Sequence, residues 1–265
     1  MDLARWSEMK IALFMLVFFR NIGLLIGAPL FQSRNLPGMV RVSIALLLSF
    51  IFVPLIETRG GLSPNLLNNL WLVVFALLQE FALGILMGYV LYLTFAGLQV
   101  AGQLVEVPMG FGMLNVLDPY SGNQMPLIGQ LYFIVGLWIF ILVKGDHTLL
   151  NILAQSYRLL PVGEPIFFTK GLPYIIKAFS GMFLLAVQAA LPILGVLFLT
   201  DVSLGVLAKL VPQINVFFLG FPLKVSLGLT LLILSLPVFV RWLAGNYSTE
   251  GSVWTELLRL LKTLR

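Results

Sequence analysis

The chain has 265 residues, 60% of them hydrophobic and 10% charged, with a net charge of +5 and a mean hydropathy of +1.02. Soluble domains carry roughly a quarter charged residues, so this composition excludes an ordinary soluble domain and implies an integral membrane-type protein. There is no cysteine, which excludes disulfides, thiol nucleophiles and thiolate metal sites, and the basic residues are too scattered for nucleic-acid binding.

Membrane strands alternate apolar and polar residues over roughly ten-residue segments. Runs such as 178–200 do not alternate, so the fold class is all-α. A bilayer span takes about 20 apolar residues, and six candidates can be marked at 11–31, 42–56, 66–98, 127–143, 178–200 and 225–240. The first begins after a polar stretch with Asp2, Arg5, Glu8 and Lys10 and has no clear small-residue cleavage site. It is expected to be a retained segment and not a cleaved signal peptide.

Several of these spans are poor. Arg20-Asn21 interrupts the first, Pro54 ends the second, Gln79-Glu80 lies inside the third, and Pro192 and Pro237 sit in the last two. A charge at membrane depth either finds a partner within its own bundle or lines a pathway or subunit contact. Arg20, Glu80 and Lys224 recur in separate segments, which favours pairing between helices. Gly84 and Gly88, four apart beside Glu80, allow close helix approach. If six segments cross, the basic residues place both termini in the cytoplasm.

The segment 106–124 lacks Lys and Arg, holds three glycines and two prolines, and is apolar up to Leu117. Surface loops are usually polar. An apolar, Gly-rich loop with adaptable methionines is expected either to pack beneath a neighbour or to occlude a pore through Met109, Phe111, Met113 and Leu114. Gly110 and Gly112 give it freedom to bend, and Asp118-Pro119 is expected to start a turn or cap the following helix. Gly145 is expected to end the fourth span, with Asp146 and His147 capping or orienting the next helix.

His147 is the only histidine, so a multi-histidine metal site is excluded. No Gly-x-Ser-x-Gly elbow, phosphate loop or dinucleotide fingerprint is present, and the chain is expected not to be an enzyme. At the end of the chain, Trp254, Leu257, Leu258, Leu261 and Leu264 share one helical face, with Glu256, Arg259, Lys262 and Arg265 elsewhere. This amphipathic helix can lie on a membrane, dock on a partner, or pack on the protein's own surface.

The most specific wording lies in 201–224. Asp201 and Gly205, then Pro212-Gln213-Ile214-Asn215-Val216-Phe217, Gly220, Pro222 and Lys224, resemble the FliR family of flagellar export-gate proteins. The resemblance covers nearly the whole chain, through Arg20, Pro29, Pro37 and Arg41, Glu80 with Gly84, Gly110-Phe111, Asp118-Pro119, Pro126, Gly145 with His147, Ser156, Pro161 and Pro192. Asp146 departs from it, standing where relatives often carry histidine, which argues against an essential histidine pair. Virulence-type secretion relatives share the framework, and the full Gln-Ile-Asn-Val-Phe…Gly-Phe-Pro-Leu-Lys run favours the flagellar branch.

The resemblance implies a non-enzymatic channel subunit without cofactor or metal, in the bacterial inner membrane at the flagellar basal body. Its implied partners are FliP and FliQ homologues, with FlhB and FlhA homologues alongside, membrane lipid, and unfolded flagellar proteins as the exported substrates. It further implies a FliP-like part over 1–190, a FliQ-like helical hairpin over 191–247, an amphipathic tail over 248–265, and a central loop that plugs the closed channel. Arg20, Glu80, Asp201, Gly205, Pro212, Gln213, Asn215, Phe217, Gly220, Pro222 and Lys224 are the residues expected to serve assembly. The alternatives are a stand-alone transporter or channel for a small solute, the virulence-type counterpart, and an intramembrane hydrolase built on His147 or on a Ser–Lys pair near the membrane core.

Overall fold

In a computed structural model of the chain, the described residues are 3–32, 36–57, 66–67, 69–111, 126–213, 215–248 and 251–264. Among them the order is α1 (Leu3–Gly27), a 3-10 turn (Pro29–Phe31), α2 (Gly38–Glu57), α3 (Leu70–Met109), α4 (Leu127–Leu142), α5 (Gly145–Leu159), α6 (Phe168–Leu210), α7 (Val216–Tyr247) and α8 (Ser252–Thr263). The protein is all-α and of membrane type: five helical stretches among the described residues are long and apolar enough to cross a membrane.

Each apolar run lies on a helix, but α3 and α6 extend to 40 and 43 residues, well past the expected 66–98 and 178–200. Hydropathy marks only what lipid tolerates. A hydrogen-bond ladder continues wherever polar side chains find water or protein, as Lys177, Asp201 and Lys209 do on α6. Pro54, Pro192, Pro222 and Pro237 all lie within helices, where neighbouring groups can compensate for the lost backbone bond.

Two boundaries differ from expectation. Residues 106–109 belong to α3 and not to a loop. The helix ends one residue later: the Gly110 N–H donates to the Val107 carbonyl at 3.1 Å and the Phe111 N–H to the Glu106 carbonyl at 3.3 Å, with Gly110 at φ 92°. This is a Schellman stop, which needs the left-handed conformation that glycine adopts without a Cβ penalty. The break before α5 likewise falls at Lys144, with φ 58° and ψ 38°, while Gly145 is already helical. Glycine was the expected breaker; lysine takes the left-handed position instead.

The chain divides into two compact units, Met1–Leu93, Lys144–Ala178 and Thr249–Arg265 in one, and Thr94–Val143 with Phe179–Ser248 in the other. In the first unit α1 crosses α3 at minimal distance. A Cβ on Gly23 would stand 2.5 Å from the Phe81 carbonyl oxygen, and one on Gly88 would stand 2.6 Å from the Leu24 carbonyl oxygen. Gly23 and Gly27 thus meet Gly84 and Gly88, each pair four residues apart, as close helix pairs require. The amphipathic α8 packs on the protein itself, burying Trp254, Leu257, Leu260, Leu261 and Leu264. Leu258 is only half-buried and Leu260 takes its place. The Phe167 N–H donates to the Leu264 carbonyl at 3.1 Å, and the Lys177 ammonium donates to Glu256 at 2.7 Å.

In the second unit the core is aromatic. Phe95 stacks on Tyr247 with ring centroids 5.5 Å apart and meets Phe140 edge-on at 5.8 Å, while Tyr132 stacks on Phe239 at 4.8 Å. Such pairs add specific geometry to area burial and fix α4 and α7 against the lower half of α3. The hairpin arms keep large apolar side chains uncovered, Phe198, Phe218, Ile233 and Val238 among them.

Candidate functional site

Within the second unit, three sequence features converge: the end of α3, the start of α4 and the α6–α7 hairpin. Met109 is wholly buried against α7; a Cβ on Gly228 would meet its Cε at 2.5 Å, so glycine is what admits the thioether. A Cβ on Gly110 would stand 2.9 Å from Phe221 Cδ2. The stop of α3 is therefore seated on the hairpin arm.

Glu106, one turn earlier, accepts from the Leu127 N–H at 3.2 Å and from the Ile128 N–H at 3.3 Å through its two carboxylate oxygens. Those are orphan donors at the start of α4, whose own N-cap Pro126 makes no side-chain cap bond. One carboxylate thus ties the exit of α3 to the entry of α4, so the ends of the intervening chain are held together. Glu106 thus caps α4. Gly112, Met113, Leu114, Asp118 and Pro119 lie outside the described residues, as does the Phe217 side chain.

Beside Met109 and Gly110 a cavity of about 340 Å³ opens, lined also by Asp201, Gly205, Gly220 and Lys224. Lys224 and Asp201 form an ion pair across the hairpin, with 23% and 45% of their side chains exposed. Asn215 caps α7, its side-chain oxygen accepting from the Phe218 N–H at 3.2 Å. Pro212, Gln213 and Pro222 are exposed. Gly220 is buried, and a Cβ there would stand 3.2 Å from Leu204 Cδ1, whereas one on Gly205 would meet nothing within 4 Å.

Arg20 and Glu80 are brought together elsewhere, in the first unit. Arg20 Nε donates to Glu80 Oε2 at 2.6 Å, with 0% and 1% of the two side chains exposed. The rest of the guanidinium donates to Ser156 Oγ at 3.3 Å and to the Leu160 carbonyl at 3.0 Å, and lies 4.5 Å over the Tyr157 ring. Glu80 Oε1 accepts from the Gly163 N–H at 3.1 Å. Alongside, the Tyr157 hydroxyl donates to Asn21 Oδ1 at 2.6 Å, and Asn21 Nδ2 donates to Ser49 Oγ at 3.0 Å. The pair is satisfied within its own bundle, as a buried charge must be.

His147 and Asp146 are neighbours on the first turn of α5, 3.1 Å apart and 72% and 49% exposed. Asp146 suits that turn because a carboxylate favours a helix N-terminus. Among the described residues no three His, Asp or Glu side chains gather closely enough to hold a metal ion. Three features went unread in the sequence. Gly23 and Gly27 carry the same four-residue spacing as Gly84 and Gly88, Glu106 is the one acid in a long apolar stretch, and Ser156-Tyr157 gave no local signal of its depth.

Residues 11–249 match the family described as Bacterial export proteins, family 1. The chain belongs to that family. This export-family chain is 33% identical over 251 residues to "Flagellar biosynthetic protein FliR" of Bacillus subtilis, covering 94% of this chain and 95% of the relative. It is 26% identical over 239 residues to the Escherichia coli protein of the same name, covering 90% of each. It is also 29% identical over 233 residues to "Secretion system apparatus protein SsaT" of Salmonella typhimurium, covering 87% of this chain and 89% of that one. Family membership and the long apolar helices give the export-family chain a membrane location.

Proposed function

We propose that this chain is a non-enzymatic subunit of the flagellar type III secretion export gate. It completes a channel with FliP and FliQ homologues, beside FlhB and FlhA homologues, and the channel passes unfolded flagellar proteins across the inner membrane at the basal body. In that reading 1–190 corresponds to a FliP-like part, and 191–247, whose start falls inside α6, to a FliQ-like hairpin.

The observation that carries the reading is the seating of Met109 and Gly110 on the hairpin beside Asp201 and Lys224. It sets the root of the apolar 106–124 segment against the part of the chain with the most specific family wording, and Glu106 holds both ends of that segment. A segment so rooted can plug a pore and be drawn aside without losing its anchorage. Uncovered Phe198, Phe218, Ile233 and Val238 supply the apolar surface that neighbouring subunits and lipid would cover.

Native mass in mild detergent, with and without co-expressed FliP- and FliQ-like partners, tests assembly. One defined complex that forms only with the partners is the expected result; a stable particle of this chain that ignores them would favour a stand-alone transporter. For the plug, replacing Met109, Phe111, Met113 and Leu114 with Gly or Ser is expected to make the assembled gate leak ions. Unchanged conductance would sink the plug and leave the subunit reading intact.

A further inference from the structure

The first unit contains a second cavity, of about 410 Å³, between the end of α2 and the end of α5. That volume falls within the roughly 300–1,000 Å³ of small-molecule sites. Its lining is Phe52, Leu55 and Ile56 from α2, Ala154, Tyr157 and Arg158 from α5, and Pro161 and Val162 beyond. The floor is the Phe52–Tyr157 ring pair, with centroids 5.4 Å apart. Tyr157 turns its hydroxyl away to Asn21 and so presents only its ring.

One group breaks the apolar pattern. Arg158 stands exposed at the rim, on the last turn of α5. Among the described side chains no carboxylate pairs with it. The mouth of the cavity adjoins the outer face of α2, where Phe50, Ile51 and Leu55 are 67%, 63% and 48% exposed. Only 11% of the α2 span is buried inside the chain, so that apolar face is open to a hydrocarbon chain.

We infer that this cavity is a binding site for a single anionic phospholipid, with one acyl chain between α2 and α5 and the phosphate on Arg158. Apolar walls offer nothing to a water or a polar solute but accept a hydrocarbon chain. A guanidinium at the rim selects a phosphate, whose oxygens match its fork of donors. A zwitterionic lipid brings the same chain and phosphate but adds an ammonium that opposes Arg158. The inference stands independently of the export-gate reading.

The test uses the full chain in mild detergent, titrated with phosphatidylglycerol or with phosphatidylcholine of the same acyl chains and read by native mass spectrometry. Phosphatidylglycerol is expected to be retained about tenfold more strongly, the size of one charge-assisted contact. Arg158→Glu, an exposed substitution, is expected to erase that preference, and Ala154→Trp to reduce retention of both lipids. In the unaltered chain, a phosphatidylglycerol with a diazirine on one acyl chain is expected to label Phe52, Leu55 or Tyr157, which needs no variant to fold. Equal retention of the two lipids, an unchanged preference in Arg158→Glu, or labels confined to other helices would each overturn the assignment.

Discussion

Two inter-helix ion pairs, Arg20–Glu80 and Lys224–Asp201, do different work. Arg20–Glu80 in the first unit is sealed, with 0% and 1% of its side chains exposed, all three guanidinium nitrogens donating and both carboxylate oxygens accepting. Lys224–Asp201 in the second unit keeps 23% and 45% of its side chains open, beside a cavity and on an uncovered hairpin. Both sequence signatures are the same, a charge inside an apolar run. Depth separates them: a buried pair cannot lose one member cheaply, whereas an open pair can be rehydrated or re-paired with another chain.

The largest effect is expected from breaking the sealed pair. Arg20→Ala leaves Glu80 buried without its cation and is expected to destabilise the chain by about 3–5 kcal/mol, read as loss of the monodisperse folded species during heating in detergent. Replacing both members with apolar residues, Arg20→Met with Glu80→Leu, is expected to recover much of that loss. A single substitution as mild as the double one would show that the pair is hydrated and would erase the contrast with Lys224–Asp201.

Next come the glycines, which divide along the same line. Gly88→Val pushes side-chain atoms into the α1 backbone, where even a Cβ would stand 2.6 Å from the Gly27 carbonyl carbon. Overpacking of that kind costs about 1–3 kcal/mol. Gly205→Ala meets nothing within 4 Å and is expected to leave the lone chain unchanged or up to about 1 kcal/mol more stable through helix propensity. If Gly205 serves assembly, the same alanine lowers the yield of the complex with FliP- and FliQ-like partners. Normal assembly would remove Gly205 from the interface.

Smaller again in the lone chain is the open pair. Asp201→Ala or Lys224→Ala is expected to cost no more than about 1 kcal/mol and to reduce assembly before transport. A complex that forms in full yet cannot export would contradict that order of events.

The sequence carried this contrast only partly. That Arg20 and Glu80 would pair between helices was legible, because an unpaired charge in an apolar run is untenable. Which partner each had, and that Ser156, Gly163 and Leu160 complete the shell, was not, since those groups lie 60 to 140 positions apart along the chain. Helix existence was legible from hydropathy, whereas helix ends were not. The Schellman stop at Gly110 and the left-handed Lys144 are decided by backbone geometry, and the cap of α4 comes from Glu106, 21 residues upstream. Likewise the apolar face of α8 was readable but not its destination, because the same pattern suits lipid, a partner or the chain's own surface.

The smallest expected effect isolates exposure from location. His147–Asp146 belongs to the first unit with Arg20–Glu80, yet its side chains are 72% and 49% exposed. If burial sets the value of a polar pair, His147→Ala changes neither stability beyond about 0.5 kcal/mol nor export in a motility assay. A loss as large as that of Arg20→Ala would mean that membership of the first unit, and not depth, makes its charges costly to remove. A folded, assembled complex that loses only export would instead give His147 a chemical role, and the hydrolase reading would displace the gate.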